Sequence, residues 1–255
     1  MFIHASRFEA QDLIIGCIVL IAFVLAVTYL VQRRGIAANS YSAKLAWLRA
    51  GIYFCVCLLI ASGSGVLATV LTTPLATAAQ MADPLWWALT AVCSTVIVIA
   101  YAVIWPIGTF TDGRCLHPLL TLIYGGLWGV CQGLLFLSMW ALVERSGLAV
   151  YWVAAISYLL IGAYNGCWHH FFWDIYVSPP HNYSEWNGRK VLFCHTPNLL
   201  LCLIYLALYG NVGIYVLLQG VALAASAYRM RFPAFWDDYS AVSGQERPIA
   251  EKVRG

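Results

Sequence analysis

The chain has 255 residues, of which 62% are hydrophobic and only 10% charged. Soluble domains carry charge on about a quarter of their residues, so an ordinary soluble fold is excluded. The formal charge of +3 is small, and no basic patch interleaves with aromatic residues, so nucleic acid is excluded as a partner. Membrane lipid and a lipophilic small molecule are the expected partners; the sequence does not specify an oligomeric state.

The first apolar run, Leu13 to Leu30, is long enough to cross a bilayer at about 1.5 Å per residue. Arg33 and Arg34 follow it, whereas a cleavable signal peptide carries its positive charge before the apolar core. A retained anchor is therefore expected. Further spans are predicted at about Gly51–Leu71, Leu85–Trp105, Pro118–Val143, Leu148–Trp168, Val191–Tyr209 and Val212–Tyr228. The fold class is all-α: a polytopic seven-helix membrane bundle over residues 1–230, with a tail, 231–255, expected to be partly disordered. Seven spans put the termini on opposite sides. With the N-terminus outside and the C-terminus cytoplasmic, twelve of fourteen basic residues are cytoplasmic, leaving Arg7 and Arg145 outside. The sequon at Asn182-Tyr183-Ser184 then faces the cytoplasm and is expected to be unused.

Within the spans, Gly125, Gly129 and Gly133 recur every four residues, a stripe that lets another helix approach closely. Gly63-Ser64-Gly65 permits a bend in the second span or the approach of a neighbour. Gly210-Asn211 is so short a connection that the last two spans form an antiparallel hairpin. Gln132 and Gln219 interrupt the hydrocarbon and are expected to face the bundle interior. The nine cysteines include no CxxC pair and read as small hydrophobes in a reducing setting.

One polar stretch, residues 164 to 198, stands out in this hydrocarbon. It holds four of the six histidines (His169, His170, His181 and His195) together with Asp174, Glu185, Arg189 and Lys190. At helical spacing His170 and Asp174 share a face and can hydrogen-bond, which fixes the imidazole tautomer and raises its basicity. His195, Asn198 and Cys202 align on the sixth span, with Pro197 tolerated in its first turns. A cytoplasmic-leaflet pocket between spans four, five and six is predicted. Its candidate catalytic residues are Asp174 as acid, His170 orienting it, then Glu185 and His195. Trp168, Trp173, Tyr176, Asn165, Asn198 and His117 are candidate substrate contacts, the aromatics suiting a cationic species. The bland reading of the same residues is an interfacial collar, with Arg189 and Lys190 acting as topology determinants that attract anionic lipid.

Two chemistries suit the stretch. In one, no cofactor is required: a carboxyl kept protonated by apolar surroundings donates a proton to a lipophilic substrate. In the other, His169, His170, His181 and His195 ligate zinc, iron or haem in a lipid-directed oxidoreductase or hydrolase. The HxxxH and HxxHH boxes of membrane di-iron enzymes are absent, and the last span has no histidine for a ceramidase-type zinc pair. A non-enzymatic transporter or ligand carrier is a third class, although no internal repeat supports a transporter.

In size, seven predicted spans, short hydrophilic loops and aromatic richness the chain resembles the membrane-bound cyclases that close prenyl chains on meroterpenoids. The resemblance is architectural and runs along the whole chain. The second span lacks the acidic residue of the best-known branch, so no catalytic residue is carried over. It implies an enzyme that cyclises or isomerises an isoprenoid substrate by proton-initiated chemistry.

Overall fold

The computed structural model describes residues 43–107, 114–168 and 188–237. The first predicted span, Leu13 to Leu30, lies outside them. All regular structure among the described residues is helical. Helix α1 is Ala43–Gly63, α2 Val66–Thr72, α3 Ala78–Met81 and α4 Pro84–Ile99, the last prolonged by a π segment, Ala100–Ile104. Helices α5 (Pro118–Glu144) and α6 (Val150–Trp168) follow. Helix α7 is a composite, Gly188–Tyr209, that enters through the π segment Val191–His195, and α8 is Val212–Arg229. Five of these helices are long and apolar enough to cross a bilayer, as a multi-pass membrane protein requires; α6 is apolar but falls short over Val150–Gly166.

Local chemistry explains most boundaries. The single span predicted at Gly51–Leu71 is already helical at Ala43 and is broken after Gly63. Gly65 has φ +77°, a left-handed conformation that a side chain resists, so α1 stops and α2 restarts. Thr77 and Gln80 form a reciprocal capping box on α3, and the Asp83 carboxylate accepts from Leu85 N (2.9 Å) to start α4, with Pro84 in its first turn. Gly210, at φ +63°, ends α7 and Asn211 leads into α8, the predicted tight hairpin.

The packed centre is α5 against α8. A Cβ on Gly125 would lie 2.6 Å from Ala224 Cα, and one on Gly129 2.5 Å from Gly220 Cα. At Gly133 the gap to Val216 Cα is 3.0 Å. The predicted stripe therefore does bring two backbones together, where dispersion acts over many atoms at once. Gln219 is fully buried, as expected, while Gln132 is half-buried.

The ends of the bundle differ in character. At one, which we call the turn end, Asn211 accepts from Trp86 Nε1 (2.9 Å) and donates to Leu75 O and Gln80 Oε1 (both 3.0 Å). Tyr209 OH donates to the Asp83 carboxylate there (3.1 Å). At the opposite, tail end the first residues of the predicted tail fold back. Arg114 donates to Met230 O (2.9 Å), Thr121 to Phe232 O (3.1 Å) and Trp47 Nε1 to Pro233 O (3.1 Å). Phe232 stacks on Tyr124, ring centroids 3.8 Å apart. The rest of the tail, 238–255, lies outside the described residues.

Candidate functional site

Each of α4 and α7 carries a five-residue π segment, and each segment is followed by one residue and then a proline: Ala100 to Ile104, Trp105, Pro106; and Val191 to His195, Thr196, Pro197. Proline has no N–H and its ring collides with the carbonyl four residues back, so a regular turn cannot form there. The wider turn answers this. Trp105 N donates five residues back to Ala100 O (2.8 Å), and Thr196 N likewise to Val191 O. The carbonyl that Pro106 leaves without its usual donor, Ala102 O, accepts Arg229 Nε from α8 (3.2 Å). Pro197 thus opens the regular α-helical part, Thr196–Tyr209, of a composite helix that begins at Gly188, in keeping with a place in the span's first turns.

The two π segments face each other and are joined by Cys194 Sγ donating to Ala100 O (3.3 Å). Around them a buried cluster assembles. The Trp105 ring stacks on Tyr101, with centroids 5.4 Å apart and planes at 20°. His195 meets Trp105 edge-on at 4.8 Å, and Lys190 Nζ lies 4.9 Å from the Trp105 centroid. Lys190 is 1% exposed and His195 3%. A buried lysine departs from the topology-determinant reading given to Arg189 and Lys190 together. Neighbours on a helix point about 100° apart, so Arg189 stays exposed while Lys190 turns inward.

One turn deeper, Asn198 and Gln219 exchange a pair of amide hydrogen bonds: Asn198 Nδ2 to Gln219 Oε1 (3.2 Å) and Gln219 Nε2 to Asn198 Oδ1 (3.0 Å). Asn198 Nδ2 also donates to Tyr101 OH (3.1 Å), and Cys202 Sγ donates to Asn198 Oδ1 (3.3 Å). Helices α4, α7 and α8 are thereby tied through one set of polar side chains. Such groups are costly in hydrocarbon unless paired, and a cluster of them is a functional candidate by default.

The predicted site residues are distributed as follows. His195 and Asn198 come together with Cys202 on one face of α7, as their spacing implied. That face looks toward α4 and α8, the third and seventh predicted spans, which supply Tyr101, Trp105 and Gln219 as partners; the pocket was expected between the fourth, fifth and sixth spans. Asn165 is buried on α6. His117 lies apart, at the start of α5, where its Nε2 is 3.3 Å from Asp237 Oδ1 and its ring packs edge-on to Trp236. Trp168 closes α6, and nothing of its side chain is described. Asp174, His170, Glu185, Trp173 and Tyr176 lie outside the described residues, as do His169 and His181 of the alternative ligand set. Among the described residues no three His, Cys, Asp or Glu side chains form a group able to hold a metal. Sequence reasoning missed Tyr101, Trp105 and the inward turn of Lys190. The available signal was the proline at the same offset in both helices.

No family model, curated protein or solved structure matches the chain.

Proposed function

We propose that the chain is a seven-span membrane enzyme, N-terminus outside, that cyclises or isomerises a lipophilic, isoprenoid-type substrate by acid–base chemistry. The reaction is placed at the tail end of α4, α7 and α8, in the cytoplasmic leaflet. Support for this orientation comes from the charges. Lys44, Arg114, Arg189, Arg229 and Arg231 fall at the tail end, whereas Arg145 falls at the turn end, where its Nη2 donates to Ser64 O (2.9 Å).

The observation that carries the enzymatic reading is the pairing of two π segments that set a buried imidazole against a clamped tryptophan. A wide turn held in place beside a proline is a standing departure from regular helix, and such turns gather at functional sites. His195 is fixed by the Trp105 edge, and Trp105 is itself held by Tyr101 and Lys190. An imidazole fixed in this way is suited to take up the proton that a cyclising or isomerising hydrocarbon must lose. Asp174, oriented by His170, remains the proposed donor of the initiating proton, with Glu185 the next candidate. A dry, apolar surround protects a cationic intermediate from water.

The test uses the purified full-length protein and prenylated phenols and their epoxides, with product isomers separated by chromatography and mass. His195→Gln keeps the side chain's size and polarity but not its proton affinity. It is expected to stay folded and lose at least about tenfold in turnover, roughly 1.4 kcal/mol of barrier. Undiminished turnover in that variant removes His195 from the chemistry.

A further inference from the structure

The His195 cluster is one end of a longer line of polar side chains. Helix α7 carries His195, Asn198, Cys202, Tyr205 and Tyr209 three or four residues apart, so they share one face, and each bears a nitrogen, oxygen or sulfur atom. That face meets α4 level by level. At the turn end Tyr209 bonds to Asp83, both half-buried, and one turn further in the Thr90 and Tyr205 hydroxyls are 3.1 Å apart. Cys93 Sγ then donates to Leu201 O (3.7 Å), and Cys202 leads to Asn198 and Tyr101. The last level is Trp105 with His195. From Pro84 to Ile104 this is 21 residues of helix, about 30 Å, the thickness of the hydrocarbon layer.

Helix α8 lines the third side. Tyr215 and Ser226 stand four residues before and seven after Gln219, on the same face. Both hydroxyls are buried and have no hydrogen-bond partner among the described residues. A purely structural contact does not need polar atoms at successive levels of a membrane, because each is costly there. The seam is also tight: Tyr101, Cys202, Tyr205, Tyr215 and Gln219 are each 2% exposed or less. A hydrated ion does not fit between such side chains, whereas a proton is passed from atom to atom and needs no bore.

We propose that this seam is a proton path through the membrane, joining the turn-end surface at Asp83 to the His195 cluster at the tail end. Ordered water held by the Tyr215 and Ser226 hydroxyls bridges the levels that side chains alone do not. Each hydroxyl or water accepts a proton on its oxygen and gives up its own on the far side, so no group stays charged and no bond between heavy atoms changes. His195 accepts at one ring nitrogen and releases from the other. Amides relay protons poorly, and the Asn198–Gln219 pair acts as a guide instead. Asn198 Nδ2 occupies a lone pair of Tyr101 OH and leaves the phenol's own proton to point onward. The path needs no substrate and does not depend on the cyclase reading.

The experiment reconstitutes the full-length protein into potassium-loaded phosphatidylcholine vesicles containing the pH dye pyranine. Valinomycin lets potassium out, the interior becomes negative, and protons are drawn in. The expected result is acidification faster than in protein-free vesicles and unchanged when external sodium is replaced by choline. Thr90→Val combined with Tyr205→Phe removes both hydroxyls of one level while keeping its shape, and should return the rate to that of protein-free vesicles. Tyr215→Phe removes a hydroxyl that no side chain partners, so it should fold as wild type and slow the flux severalfold. Tyr53→Phe, in the α1–α6 tyrosine pair away from the seam, should leave the rate unchanged. Wild-type vesicles no faster than protein-free ones overturn the proposal. So does full flux in the folded double variant or in Tyr215→Phe, or an equal loss in Tyr53→Phe.

Discussion

Along α5 the chain places glycine at every fourth position; along α4 and α7 it places proline directly after a five-residue π segment. The first device removes side chains, so that α5 and α8 touch backbone to backbone. The second keeps large and polar side chains and changes the helix instead, turning Tyr101, Trp105, Lys190 and His195 into one buried cluster. One interface is a close approach of backbones at small residues. The other holds polar groups in hydrocarbon at an energetic disadvantage, which a purely structural contact does not need. That contrast is why the site is assigned to α4, α7 and α8, and why α5–α8 is read as the frame.

The contrast can be broken first at the frame. Gly129→Leu drives side-chain atoms into the backbone of Gln219 and Gly220, which have no rotamer to yield. Overpacking of this kind costs about 1–3 kcal/mol or more. No monodisperse folded peak is expected on size-exclusion chromatography in detergent, and a normal peak would mean that α5 and α8 are not in backbone contact.

The amide pair comes next in size. Asn198→Leu and Gln219→Leu each strand one partner and should each lower unfolding stability by about 1–2 kcal/mol. The double variant should recover part of that loss, because no buried amide is left unpaired. Strictly additive losses would show that the two amides do not hold each other.

Pro197→Ala acts more locally. It restores an N–H, lets the π turn relax toward regular helix and rotates His195 away from Trp105. Stability should change little, within about 1 kcal/mol, while turnover falls at least as far as in His195→Gln. Stability and turnover both unchanged would dissociate the π segment from function. The smallest effect belongs to Gly51→Ala on α1, where a Cβ meets open space. A gain of up to about 1 kcal/mol in unfolding stability is expected from helix propensity alone, and a loss would contradict the packing described for α1.

How much of this was legible in the sequence follows from the range of each signal. Apolar length is a local property, and it marked the described helices to within a few residues, apart from α1, which begins at Ala43 rather than Gly51 and breaks before Gly65. The glycine stripe was legible because its spacing repeats on one helix, and Gln219 because one amide in a hydrocarbon run has to face inward. Asn198 and Cys202 share a face by spacing alone. Their partners did not show, because Tyr101 and Trp105 lie about a hundred residues away and look like any interfacial aromatics. The inward turn of Lys190 was hidden for a related reason. A basic pair at a span boundary reads as a surface feature until the helix is known to extend back to Gly188. The pocket was expected between spans four, five and six for want of any sign that α4 is reshaped at Ala100.

The central claim is that a proton starts the reaction and that His195 takes one up at its end. It is tested most directly by incubating the full-length protein with a prenylated phenol in D₂O and locating deuterium in the isomeric product. The expected result is one carbon-bound deuterium per product molecule with wild type, and at least about tenfold less product with folded His195→Gln. An isomeric product free of carbon-bound deuterium, or wild-type protein that leaves every such substrate unchanged, would contradict it.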